Sequence, residues 1–411
     1  MRGLHQILIS DKKRLGFLFG AGTSLATSVP GVKVPAIAEM TKIVSTELGA
    51  ASKDYKTAIA EIEVEIGSSK FNVESLLSCI EGKRAAIGKG NLNGLDAKSY
   101  GELSKALKKA IVQLVSVHEV LKPEDRHRLA HSQFSTWVSK ARRRHPAEIF
   151  TTNYDYLFEI ALEGSGIPYF DGFSGAFEPF FCPEAVEDLA SYAQLAKLWK
   201  MHGSLGWTHR ASDKTVIRKG KVDDDSILIY PSHLKYSTSK KQPYVGLIDR
   251  LCSFLQQDDA VLITCGYSFG DEHINERILT SLRRSSSSHV VALYFDESGT
   301  PRTYALVDPE NSVRKMAERD TAGRLSVYGR RHAVIGGKFG EWRLGDEPSV
   351  FETSRIDAYF DEDAAQPIAA SASGIGDERW AGTGRFLLPD FGKLSAFLND
   401  MAVGSQTAAT T

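Results

Sequence analysis

Cysteine is scarce. The 411-residue chain has four, Cys79, Cys182, Cys252 and Cys265, and no two form a CxxC pair. That excludes a disulfide scaffold in so long a chain. It also excludes a zinc ribbon, whose ligands come in closely spaced pairs. The four read as small buried hydrophobes. No metal is expected, because no His/Cys/Asp/Glu cluster has ligand spacing. Net charge is nearly absent as well: 50 Lys+Arg stand against 51 Asp+Glu, a balance of −1. Binding to nucleic acid by bulk positive charge is therefore not expected, while a local basic patch stays open. No run of about 18 uncharged apolar residues occurs, so no transmembrane helix and no membrane partner are expected. Met1 to Phe17 lacks the continuous apolar stretch and small-residue cleavage site of a signal peptide. A cytoplasmic location follows as the expectation.

What is present is ordinary globular material, 42% hydrophobic and 25% charged, enough for two or three domains. Short apolar runs alternate with helical patterns. Arg14–Phe19 stops at Gly20-Ala21-Gly22-Thr23-Ser24. Ala147–Thr152 stops at Asn153-Tyr154-Asp155. Leu198–Met201 leads into His202-Gly203-Ser204. Ala260–Cys265, the most strand-like run, ends at Gly266-Tyr267-Ser268-Phe269-Gly270-Asp271. Ser226–Tyr230 and His289–Phe295 read as further strands. Alternation of this kind predicts an α/β fold with a parallel sheet flanked by helices. Ligands in such sheets bind beyond the carboxyl ends of the strands, where these four polar segments would converge.

Other stretches interrupt the pattern. From about 50 to 145 the sequence is charged and helical and reads as an insertion. A helix start is expected at Asn72, a cap residue before Val73-Glu74-Ser75-Leu76-Leu77. Tyr156–Glu163 reads as a helix stopped by Gly164, and Asp271–Arg284 as another. Residues 301–411 read as a C-terminal accessory or assembly module, with helices over Arg302–Arg319 and Phe391–Met401 and a disordered tail from Gly404.

The strand ends carry the candidate chemistry. Gly20-Ala21-Gly22 suits close approach of backbone N–H groups to a pyrophosphate. The GxGxxG pattern fails at Leu25, and a plain strand–helix turn is the competing reading. Asn153 can hold a ribose hydroxyl or a water, because an amide both donates and accepts. Helix capping by Asn153 or Asp155 is the alternative. His202 has the side chain most used as a general base near neutral pH. His209, His233 and His273 stay open as secondary contacts, whereas His118, His127, His131 and His145 read as solvated. Gly266–Asp271 can receive the second half of a dinucleotide, or be a turn capped by Asp271. Asn275, one helical turn later, shares its face.

Taken in order, GAGTS, TTNYD, MHGS and CGYSFGD resemble the sirtuin family and its bacterial sirtuin-like relatives over roughly residues 14 to 296. The resemblance implies a Rossmann-like NAD⁺ domain over 1–300. It places Gly20, Ala21, Gly22, Thr23 and Ser24 at the phosphate turn, Asn153 and Asp155 at the ribose, and His202 as the catalytic histidine. Gly266 and Ser268 fall on the adenosine side, with Asp271 and Asn275 completing the cofactor-binding set. Sirtuin deacylases also have a four-cysteine zinc module, absent here, and a Gly-Ile-Pro-Asp-Phe-Arg segment to which only Val34-Pro35 corresponds. The chain therefore looks more like the sirtuin-like NAD⁺ hydrolases of bacterial antiphage defence, a group that Asn72–Leu77 also resembles. Its length looks most like the type that works with a HerA-type translocase.

The expected activity is cleavage of NAD⁺ to nicotinamide and ADP-ribose, regulated through a homo-oligomer or a partner. An NAD-dependent protein deacylase or ADP-ribosyltransferase is the first alternative. A nucleotide-binding or DNA-processing subunit is the second, with Arg142-Arg143-Arg144 and Arg330-Arg331 as its best features.

Overall fold

The computed structural model describes residues 2–27, 29–141, 143–220, 242–320, 322–343, 359–363, 366–367, 378–379 and 382–407. The predicted strand at Ser226–Tyr230, together with His233 and Arg142, lies outside them. The chain divides into two compact units. One comprises Met1–Phe19, Ala130–Ala147 and Phe254–Thr411; the other comprises Gly20–Leu129 and Glu148–Ser253.

In the first unit, Arg14–Phe19 pairs in parallel with Ala260–Cys265. That strand pairs with His289–Leu293, and His289–Leu293 pairs with Leu325–Tyr328, all in parallel. These segments are near-continuous apolar runs because both faces are covered: every residue of Ala260–Cys265 is buried. The Glu272–Arg284 helix makes the crossover that a parallel pair needs. His332–Ile335 and Lys338–Glu341 extend the sheet antiparallel. Phe17 and Phe19 pack edge-on against Phe134 of the Ala130–Lys140 helix, at 5.1 and 5.2 Å between ring centroids. Gly16 has to be glycine here, since a Cβ would lie 2.6 Å from the Phe254 ring.

Residues on both sides of position 300 share this unit. Leu325–Tyr328 pairs with His289–Leu293. Phe391, at the start of the Phe391–Thr407 helix, meets Phe19 at 5.2 Å. That helix runs through Thr407, so the tail expected to be disordered from Gly404 is helical for four residues, and 408–411 lie outside the described residues. Within Arg302–Arg319 only Ser312–Arg319 is α-helical, capped by Asn311, whose side chain accepts from Val313 and Arg314 N–H.

The second unit holds a short parallel sheet in which Ala196–Lys200 lies between Glu148–Thr151 and Tyr169–Phe170. It also holds the helices expected from about 50 to 129, whereas the Ala130–Lys140 helix of the expected insertion belongs to the first unit. Ile37–Ala51, Lys53–Ile66, Val73–Ala86 and Ala97–Val115 bury Val44, Ile62, Leu76, Leu103 and Leu107 in one apolar cluster, which Leu157 and Leu205 join. The helix start expected at Asn72 is present as a capping box: Asn72 accepts from Glu74 and Ser75 N–H, and Ser75 Oγ accepts from Asn72 N–H. The Leu157–Gly164 helix ends one residue later than expected. Gly166 at φ +63, not Gly164, takes the left-handed position that turns the chain. A four-stranded antiparallel sheet, built from Phe173–Ser174, Phe180–Phe181, Val216–Arg218 and Trp207–His209, was not expected from the sequence.

A buried ion pair sits at the base of this unit. Arg250 forks onto Glu148, Nε donating to Oε2 at 2.9 Å and Nη2 to Oε1 at 2.7 Å. Trp199 Nε1 donates to the same Oε2 at 3.0 Å. Glu148 and Arg250 are 6% and 9% exposed, so this carboxylate is tolerated only because three donors meet it.

Candidate functional site

The second unit gathers the glycine turn, the Asn153–Asp155 segment and the His202 loop. Thr151 is the register partner of Lys200 in the parallel ladder, and Met201 N–H extends the ladder by donating to Thr151 O at 2.8 Å. Asn153 and His202 therefore each stand two residues past paired positions, at the same end of neighbouring strands about 4.8 Å apart. Gly203, at φ +97, turns the chain directly after His202.

Four side chains form one buried polar cluster. Thr23, Ser24, Asn153 and Asp155 are 0, 1, 6 and 2% exposed. Thr23 Oγ1 donates to Gly20 O at 2.9 Å, and Ser24 Oγ donates to Asp155 Oδ2 at 2.6 Å. A hydroxyl has one proton, so both oxygens can only accept from Asn153. The Asn153 amide must then present Nδ2 to them, at 3.0 Å from Thr23 and 2.8 Å from Ser24. Its Oδ1 is left as an acceptor with no donor among the described residues. A ribose hydroxyl or a water is the kind of donor such a group takes up.

Asp155 is fully used. Oδ2 accepts from Ser24 Oγ, Oδ1 accepts from Leu157 N–H at 3.0 Å at the start of the next helix, and its carbonyl accepts from Lys200 Nζ. Lys200 is also paired with Glu159 at 3.1 Å, and burial pushes the Glu159 carboxyl up against the pull of that lysine. Asp155 thus fixes Ser24 and the helix start in place. The helix-start alternative raised by the sequence is thus present in Asp155, beside its bond to Ser24. Ala21 at the tip of the glycine turn is exposed. At the start of the short Gly22–Leu25 helix, Thr23 and Ser24 N–H donate to Gly20 O at 2.9 Å and Ala21 O at 3.1 Å, which leaves the Ala21 and Gly22 N–H groups at the tip of the turn for an anion. Pro35 is half-buried in the segment leading to the Ile37–Ala51 helix.

The late turn belongs to the first unit. Gly266 is left-handed at φ +65 and so is Phe269 at φ +57. Asn275 holds that turn: Nδ2 donates to Phe269 O at 2.8 Å, and Oδ1 accepts from Tyr267 Oη at 3.0 Å. Asp271 caps the helix through His273 and Ile274 N–H, and Ser268 Oγ accepts from Gly270 N–H. These contacts stabilise the turn from within.

Neither His131, fully buried with its ring 4.9 Å from that of Phe391, nor His118 lies on the solvated face expected of it. His118 is half-buried, edge-on to Tyr156 at 4.9 Å between centroids, with a buried Nδ1 that has no hydrogen-bond partner. Burial pushes its pKa down, against the opposing pull of Glu119 and Asp155. A depressed histidine contributes stability that is fully present above the ordinary value of 6.5 and is lost as pH falls below it. The melting temperature of the wild type should therefore drop more between about pH 7.5 and 5.5 than that of His118→Gln. Equal drops would remove His118 from the account.

Part of each basic run is spent on structure. Arg143 donates to the carbonyls of Leu8, Ser10 and Lys13. Arg331 pairs with Glu341 at 2.6 Å and Asp363 at 2.7 Å, and Arg330 is 9% exposed.

Comparison with known proteins reaches the same segments. Residues 147–314 match the SIR2-like domain, a sirtuin-like family. The match spans Asn153, Asp155, His202, Gly266, Ser268, Asp271 and Asn275, and it starts after the glycine turn and the four helices between Ile37 and Val115. The mixed α/β architecture with its parallel strands agrees with a Rossmann-like SIR2-like fold, and such a domain fits NAD-related chemistry. No curated protein matches the chain. Among the described residues, no group of three or more His, Cys, Asp or Glu is placed to hold a metal ion. No helix among them is long and apolar enough to cross a membrane.

Proposed function

We propose that the chain is an NAD⁺ glycohydrolase, and the observation that carries this reading is the forced orientation of the Asn153 amide. The substrate needs an acceptor for a ribose hydroxyl and N–H donors for its pyrophosphate. The unengaged Oδ1 supplies the first, and the Ala21 and Gly22 N–H groups at the tip of the glycine turn supply the second.

In the proposed reaction the bond between ribose C1′ and the nicotinamide nitrogen breaks. Its electron pair goes to that nitrogen and neutralises the pyridinium. Asn153 Oδ1 holds the ribose or the incoming water, and His202 takes the proton that water loses on bonding to C1′. Nicotinamide, ADP-ribose and a proton result. Asp155 acts through Ser24 and the loop backbone. For Gly266, Ser268, Asp271 and Asn275, the adenosine role rests on the resemblance to sirtuins.

The absence of paired cysteines from the sequence separates this reading from a zinc-bearing deacylase. Incubation with NAD⁺, with and without acylated peptide, tests the difference. Nicotinamide release at the same rate in both supports the hydrolase. Release that requires peptide overturns it in favour of deacylation or ADP-ribosyl transfer.

Unrestrained NAD⁺ loss is lethal to a cell, so the reading includes regulation: a cytoplasmic antiphage effector, silent until it assembles with copies of itself or with a HerA-type translocase. The helical insertion and residues 301–411 are the proposed assembly surfaces. Light scattering on the active species should show an oligomer; an isolated monomer with full activity would contradict that part.

A further inference from the structure

Asn153-Tyr154-Asp155-Tyr156 alternates its partners. Asn153 and Asp155 bond to Thr23 and Ser24. Tyr154 and Tyr156 bond elsewhere: Tyr154 Oη donates to Glu74 Oε1 at 3.0 Å, and Tyr156 Oη donates to Leu205 O. Tyr154 is also held at its backbone, its carbonyl accepting from Leu205 N–H at 3.1 Å, three residues beyond His202. One residue thus ties together the Asn153 segment, the His202 loop and the inserted helices.

Its partner is anchored equally well. Glu74 lies in the first turn of the Val73–Ala86 helix, and its N–H donates to Asn72 Oδ1 at 2.9 Å. The neighbouring Val73 N–H donates to Thr41 Oγ1 at 3.0 Å, fixing that helix start to the Ile37–Ala51 helix. A phenol donating to a carboxylate makes a charge-assisted bond, stronger than a neutral one. The Tyr154 ring packs against the helical core independently of this bond, so bond and packing can be separated by mutation.

We infer that Glu74 and Tyr154 are positioning residues, through which the helical insertion sets the placement of Asn153 for the reaction; this rests on the hydrolase reading above. Glu74 acts through Tyr154, and Tyr154 through the backbone on either side of it.

Three variants test the inference with two readouts, steady-state nicotinamide release and amide hydrogen exchange of residues 152–156. Tyr154→Phe keeps the ring and removes the hydroxyl. Glu74→Ala removes the acceptor, and Glu74→Gln keeps an acceptor without the charge. The first two should lower kcat about tenfold with KM for NAD⁺ within about twofold of wild type. Both should speed exchange across 152–156, and Glu74→Gln should restore both readouts. Unchanged kcat with faster exchange would make the bond merely structural and overturn the inference, as would an effect on KM alone or a Glu74→Gln that behaves like Glu74→Ala. A wild type that releases no nicotinamide overturns the hydrolase reading. Exchange then decides the clamp by itself: speeding in the first two variants with recovery in the third supports it, and unchanged exchange overturns it.

Discussion

Asn153→Ala should lower nicotinamide release at least about a hundredfold, the usual scale for losing a positioned catalytic group. The fold should survive. Thr23 and Ser24 keep the acceptors for their own protons, Gly20 O and Asp155 Oδ2, and lose only a donor to each oxygen. A melting temperature near that of wild type would show that the cluster persists without the amide. Asn153→Asp is the more demanding variant. It keeps Oδ1 but sets a second oxygen against two hydroxyls whose protons are committed, beside the Asp155 carboxylate. It should be as inactive as Asn153→Ala despite its near-identical shape. His202→Ala should lose turnover on the same scale while still binding ADP-ribose. Wild-type turnover in Asn153→Ala and His202→Ala would make the site assignment wrong.

The largest effect on stability should come from Glu148. Glu148→Ala leaves the Arg250 guanidinium and the Trp199 indole N–H buried without their acceptor. Breaking a buried pair from one side costs about 3–5 kcal/mol. Arg250→Ala should cost a similar amount, because it strands the carboxylate. A Glu148→Leu/Arg250→Leu double variant should lose less than the sum of the two single losses, since no charge is then left buried. Urea unfolding followed by tryptophan fluorescence measures all of these. Single variants within about 1 kcal/mol of wild type would mean that the pair is solvated in solution.

The sequence displayed the parallel strands plainly, because strands covered on both faces are nearly continuous apolar runs, as Ala260–Cys265 is but for Thr264 and Arg14–Phe19 is after Arg14. It displayed the Asn72 cap for an equally local reason. The antiparallel sheet over Phe173–Arg218 was hidden because its strands have two or three residues, too few to set a period.

The site was legible in part. Strand ends mark where Asn153 and His202 stand, but what each polar group touches is set by distant residues. Ser24 and Asp155 are 131 positions apart, and Glu74 and Tyr154 are 80 apart. No local pattern shows that Asn275 is spent on holding a turn, or that Arg143 binds the carbonyls of a remote loop. His118 was misread for the same reason: the charges around it in sequence say nothing of the Tyr156 ring against it.

The central claim is that water is the acceptor at C1′ in a site built on Asn153 and His202. Incubation of the protein with NAD⁺ in ¹⁸O-labelled water, followed by mass spectrometry across a hundredfold range of protein concentration, tests it most directly. Wild type should form free nicotinamide and ADP-ribose carrying one ¹⁸O without any peptide, and Asn153→Ala should lose both. NAD⁺ recovered intact at every concentration would contradict it, and so would ADP-ribose found only on a protein or peptide acceptor.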